Sequence, residues 1–135
     1  MKISMDYVND NTFKVQNQSN NELLIDMCDP DKKNHLSPME LLLSAVTSCA
    51  AVEIVSMIKK RKRNFQNILA ETHGVRVDSS PRYFNSIDIK YIIYSKDLTD
   101  SEADRYISLS LEKYCSVGAT INDKTKINHS FKIIR

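Results

Sequence analysis

Hydrophobic and polar positions alternate with a period of two at both ends of this chain, and with a helical period in two stretches between. Ile3, Met5 and Tyr7 stand against Lys2, Ser4 and Asp6; Phe13 and Val15 alternate with Lys14 and Gln16; Leu23, Ile25 and Met27 follow. Asn9-Asp-Asn11 and the run from Asn17 to Asn21 separate these segments. The pattern predicts three short strands joined by turns into an antiparallel meander. Asp29-Pro-Asp-Lys-Lys-Asn34 reads as a loop.

A long helix follows. Ser37 suits the N-cap, Pro38 the first helical position and Glu40 the third, which together make a capping box. The stretch to about Lys60 is apolar around most of its circumference. Such a helix has to be surrounded by protein, and burial against a second chain is the expected remedy for so small a molecule. Phe65 to Val77 is mixed but rich in strand formers, Asp78-Ser-Ser-Pro81 breaks it, and Ile87, Ile89, Tyr91 and Ile93 mark a strand. A second capping box, Thr99-Asp-Ser-Glu102, opens a helix with the stripe Ala103, Ile107, Leu111, Tyr114 and Cys115, and Gly118 is its expected stop. A last strand carries Ile127, His129, Phe131 and Ile133 on one face, His129 as a core histidine. This order predicts one α+β domain over residues 1–135.

Composition narrows the function. At 135 residues, 41% hydrophobic and 27% charged, a soluble globular protein is expected. Two glycines are too few for a Gly-rich phosphate loop. A net charge of +2 gives no reason to invoke nucleic acid, and the basic run Lys59 to Arg63 suits the last turn of the long helix, whose carbonyl end favours cations. Glu40 and Glu53 argue against a membrane span there. The first residues lack the pattern of a signal peptide, and three cysteines without one suggest free thiols in a reducing, cytoplasmic setting. Three cysteines and three histidines are too scattered for a metal set, and no cofactor motif is present.

The candidate chemistry is therefore thiol chemistry. Cys49 lies within the long helix, with Ala45 one turn before it and Glu53, Ser56 and Lys60 continuing its stripe. Cys115 ends the stripe of the second helix. From spacing alone either could be a small buried hydrophobe. Cys28 precedes a loop and reads as incidental; His35 and His73 have no supporting spacing.

Three segments occurring in order, Ser37-Pro-Met-Glu-Leu-Leu-Leu-Ser-Ala-Val-Thr-Ser-Cys49, Pro81-Arg-Tyr-Phe84 with Ile87-Asp-Ile, and Glu112-Lys-Tyr-Cys-Ser-Val117, resemble the OsmC/Ohr family of osmotically inducible and organic hydroperoxide resistance proteins. The resemblance implies antiparallel sheets wrapped around a buried central helix in an intertwined homodimer. It implies that Cys49 is a peroxidatic thiol that becomes a sulfenic acid on reaction with an organic hydroperoxide. Cys115 would then resolve it to a disulfide, which a dithiol such as a lipoylated protein reduces. Sulfenate formation is the reversible first step of thiol oxidation, and a poised second thiol limits overoxidation.

Two departures bear on the transfer. Peroxidase members supply an activating arginine from the N-terminal region, and here the first arginine is Arg61; Arg82, Lys14, Lys32 and Lys60 are the substitutes to consider. Cys49 is mid-helix, so no help from a helix N-terminus is expected. The family's glutamate directly follows the proline, where this chain has Met39. Glu40 falls nearly opposite Cys49 at about 100° per residue and reads as a cap. Glu53 is nearer, but an anion there would raise the thiol pKa. These departures favour a rival reading, a non-peroxidatic member acting as an apolar-ligand binder or redox sensor. A cysteine hydrolase of thioesters would need a base beside Cys49, and no histidine is placed by sequence to serve.

Overall fold

The computed structural model describes residues 1–121 and 123–135. They form two compact units, Met1–Leu42 and Leu43–Arg135.

The first unit contains β1 (Ile3–Asn9), β2 (Thr12–Asn17) and β3 (Glu22–Asp26), paired antiparallel in that order. Asp10 and Asn20 adopt φ of 44° and 63° at the two turns, a left-handed conformation that Asn and Asp tolerate best among residues with a Cβ. Asn17 Oδ1 accepts the amides of Ser19 and Asn21. The register sets Met5 opposite Val15 and Val15 opposite Leu23, so one face is apolar. Met27, expected in the third strand, lies just beyond it, because Asp26 ends the ladder by accepting the amides of Cys28 and Asn34. Ser37 Oγ accepts the Glu40 amide, and Glu40 also accepts from the Ser37 hydroxyl and meets Lys33, so Glu40 is a cap as the spacing predicts.

α1 (Pro38–Lys60) starts in this unit and runs on into the second. Its 23 residues are long and apolar enough to cross a membrane by length and composition. Yet the residues buried in the single chain form one stripe, Val46, Ala50, Ile54 and Ile58, at the spacing of a core-packed face. The Val46, Ile54 and Ile58 side chains each contribute about 1.5–3 kcal/mol on burial.

In the second unit, β4 (Asn67–Arg76) and β5 (Phe84–Tyr94) pair antiparallel, and β6 (Lys126–Ile134) joins β5 in parallel. The all-antiparallel expectation is thus corrected: this sheet is mixed, because the helical connection after β5 carries the chain back before β6 begins. The inner face of β5 presents Phe84, Ile87, Ile89, Tyr91 and Ile93, all buried. Thr47 of α1 and Thr72 of β4 share a 2.7 Å hydroxyl hydrogen bond between helix and sheet. His129 is only half-buried, with Nε2 3.4 Å from Asp104 on a helix above β6, so its place is a partly exposed pair and not the core.

α2 (Asp100–Leu109) is capped by Thr99 and Glu102 as predicted. The chain then widens into one π turn, Ser110–Tyr114, before Cys115 turns extended (φ −73°, ψ 102°) and a short α3 (Ser116–Thr120) begins. Two expectations are corrected here. Cys115, not Gly118, ends the helix, and Gly118 lies inside α3. Tyr114 is 49% exposed and so leaves the expected stripe, while Cys115 keeps its buried place on it and the widened turn buries Ser110 as well.

Candidate functional site

Cys49 and Cys115 both lie in the second unit, and the fold brings them together. The break at Cys115 explains how. Its amide donates to Ser110 O at 2.7 Å, closing the π turn. Its side chain then takes the N-cap position of α3, where Sγ accepts the Gly118 amide at 3.2 Å. A Cβ on Gly118 would lie 3.5 Å from Sγ, an ordinary van der Waals distance, so the Gly118 amide and not its lack of a side chain is what serves Cys115. Cys115 is 2% exposed, and its Sγ lies 3.8 Å from the Val46 carbonyl of α1, to which the thiol donates.

Cys49 stands less than one turn after Val46 and is half-buried. Its thiol is held below the ordinary cysteine value chiefly by the Val117 amide, against the cost of burial, with further help from the Cys115 thiol and the Ser116 amide; the Glu53 carboxylate opposes this. Backbone amides at the start of a helix have no partner within it, so they are free to stabilise a thiolate. Cys115 moves the other way. Burial raises its pKa, the Gly118 amide partly offsets this, and the neighbouring Cys49 raises it further. One thiol of the pair is therefore the better anion and the other the better proton donor.

This corrects one expectation. Cys49 is indeed mid-helix, but the first amides of a different helix reach it. Among the described residues of the second unit no lysine or arginine is among the groups acting most strongly on Cys49, and the Val117 amide takes the leading place that the spacing had left to Lys60 or Arg82. Glu53 acts as the spacing predicts, against ionisation.

Tyr91 of β5 completes the surroundings. It is fully buried, and its hydroxyl donates to Thr47 O at 2.9 Å. Burial first, then the two thiols, raises its pKa, so it stays neutral beside them. Sequence reasoning placed Tyr91 in a core strand and missed its position by the thiols; a tyrosine within an isoleucine run was the available signal. The amide donors of Ser116 and Val117 had no signal in side-chain chemistry at all.

Cys28, in the first unit, donates its thiol to Asp26, which raises its pKa, consistent with a structural place. Among the described residues no cluster of His, Cys, Asp and Glu could hold a metal ion.

Residues 30–130 match the family model described as OsmC-like protein. Protein YhfA of Escherichia coli (strain K12) is 31% identical over 134 residues, covering 99% of this chain and 98% of its own. Among solved structures, an OsmC-like protein from Mycoplasma pneumoniae superposes with a TM-score of 0.85 at 16% identity, over 99% of this chain and 96% of its own. An organic hydroperoxide resistance protein OsmC from Legionella pneumophila does so with a TM-score of 0.70 at 12% identity, over 98% of this chain and 97% of its own.

Proposed function

Because this chain belongs to the OsmC-like protein family, we propose that Cys49 and Cys115 are the peroxidatic and resolving thiols of an organic hydroperoxide reductase. The observation that carries the reading is the opposite pull on the two thiols. Val117 and Ser116 amides favour the Cys49 thiolate, while burial keeps Cys115 protonated beside it. Neighbours of the same fold include a protein named for organic hydroperoxide resistance, which supports the substrate class.

The chemistry balances as follows. The Cys49 thiolate attacks the terminal oxygen of ROOH, the O–O bond breaks, and RO⁻ leaves and takes a proton to become ROH. Cys49 is then a sulfenic acid, oxidised by two electrons. Cys115 sulfur attacks that sulfur, an S–S bond forms, and hydroxide leaves with the Cys115 proton as water. A dithiol reductant exchanges with the disulfide, restores both thiols and leaves as its own disulfide. The Val46 carbonyl accepts from the Cys115 thiol, and Tyr91 fixes the next residue of α1 through the Thr47 carbonyl.

A homodimer is part of the same reading. In the single chain Ile3, Met5 and Tyr7 of β1 are 67%, 60% and 66% exposed, and Val52 of α1 is 67% exposed. Rows of this kind call for cover by a second copy.

One observation favours the rival of a redox sensor or apolar-ligand binder. The anion Glu53 acts on Cys49 and disfavours its thiolate. Stopped-flow consumption of cumene hydroperoxide and of hydrogen peroxide, with dihydrolipoamide as reductant, separates the two. The peroxidase reading expects faster reaction with cumene hydroperoxide and none in Cys49→Ser. Wild-type reaction no faster than a free thiol at the same pH removes it in favour of the rival.

A further inference from the structure

A second site lies further along α1. Met57, Lys60 and Arg61 at the end of α1 face Arg105, Tyr106 and Leu109 of α2 across a pocket of about 150 Å³. Lys60 is about 16 Å beyond Cys49 along the helix axis at 1.5 Å per residue, more than a Debye length at physiological salt. The pocket is thus separate from the thiol pair.

Its charges are one-sided. Other cations nearby have partners: Arg63 holds Glu102 at 2.8 Å, Arg135 approaches Asp100 at 3.8 Å, and Lys59 lies over the Phe65 ring. Those pairs, with His129 on Asp104, occupy the three acids of α2. Lys60, Arg61 and Arg105 have no ion pair among the described residues, and no acid lines the pocket. The rest of the wall is Met57, Leu109 and Tyr106. Tyr106 is 6% exposed and lines the recess with its ring.

From this geometry we infer a binding site for a carboxylate carried on an alkyl chain. The carboxylate meets the two guanidinium groups and the ammonium, and Tyr106 donates a further hydrogen bond. The first methylenes lie on Met57 and Leu109. A bare inorganic anion would leave that apolar wall unused, and a nucleic-acid backbone is too large for so small a recess. The inference stands apart from the peroxidase reading, since binding here needs neither thiol.

The test is calorimetric titration of the full chain with dodecanoate below its micellar range, without peroxide or reductant. One dodecanoate should bind per chain, with dodecanol and acetate each binding far more weakly. Lys60→Gln, Arg61→Gln and Arg105→Gln combined should weaken dodecanoate about tenfold or more, the scale of one lost charge-assisted hydrogen bond. Arg105→Lys in the otherwise native chain should retain most of the affinity. These side chains are exposed, so the variants should keep the wild-type circular dichroism spectrum, and Arg105→Gln alone serves if the triple variant does not. Equal affinity in wild type and the glutamine variant, or dodecanol binding as tightly as dodecanoate, overturns the inference.

Discussion

Gly118 donates its amide to Cys115 Sγ at 3.2 Å, in the same turn whose Val117 and Ser116 amides favour the thiolate of Cys49. A single turn of backbone thus serves both sulfurs, and it does so without a charged side chain.

Removing one of those amides tests the arrangement. Val117→Pro deletes the donor with the largest effect on Cys49, at a position in the first turn where proline is tolerated. The Cys49 pKa should rise, so alkylation by iodoacetamide should slow at neutral pH and recover at alkaline pH. In wild type the depressed pKa keeps the thiolate populated at lower pH than in a free cysteine. An unchanged pH–rate profile in the variant would assign the activation elsewhere.

Cys115→Ser should separate the two half-reactions. Cys49 should oxidise once with cumene hydroperoxide and then gain one or two further oxygen atoms, because no neighbouring thiol condenses with the sulfenic acid. Intact mass spectrometry after stoichiometric peroxide reads this directly. Clean catalytic turnover in the variant would mean that a different thiol resolves Cys49.

Gly74 should not accept a side chain. A Cβ there would lie 2.8 Å from Phe84 Cδ1 and 3.0 Å from Leu43 Cδ2. Gly74→Ala should destabilise the fold by about 1–3 kcal/mol through overpacking, and Phe84→Leu should restore part of the loss. Urea denaturation of the single and double variants measures both.

Asp26 ties stability to pH. The Asn34 amide, then the Cys28 amide, lower its pKa from an ordinary 3.8 to about 2. A carboxylate with a depressed folded pKa stabilises above its unfolded value and loses that contribution as pH falls towards about 2. Asp26→Asn should therefore lower the melting temperature at pH 6 and narrow the gap from wild type near pH 2. A constant difference across that range would show that the carboxylate charge is not what matters.

Homodimerisation has its own measurement. Sedimentation equilibrium at micromolar concentration should report twice 15.5 kDa. A stable monomer would mean that Ile3, Met5 and Tyr7 are covered in some other way.

Much of this was legible in the chain. The capping box of Thr99 with Glu102 formed as read, and at Ser37 the hydroxyl caps the Glu40 amide while the Glu40 carboxylate accepts from the Ser37 hydroxyl. The alternation of β5 named its buried face, Ile87 to Ile93. Alternation says which face a residue takes but not which way the neighbouring strand runs, so the parallel pairing of β6 was not legible. The π turn was hidden because Leu109 to Tyr114 continues a plausible helical stripe, and only three-dimensional packing selects the wider closure. The pairing of Cys49 with Cys115 was suggested by a family resemblance and could not be read from spacing. The amides of Ser116 and Val117 were invisible, since every residue but proline has one.

The widened turn at Ser110–Tyr114 also holds one residue more than an ordinary helical turn would between the Ser110 carbonyl and the Cys115 amide. The same residues wound as an ordinary helix would swing Cys115 about 100° around the axis, away from its present place beside Cys49. Losing one residue between Ser110 and Cys115 would instead close the turn to the ordinary helical spacing and leave Cys115 where it is, so relatives that keep the thiol pair in this arrangement should tolerate a gap of one residue there.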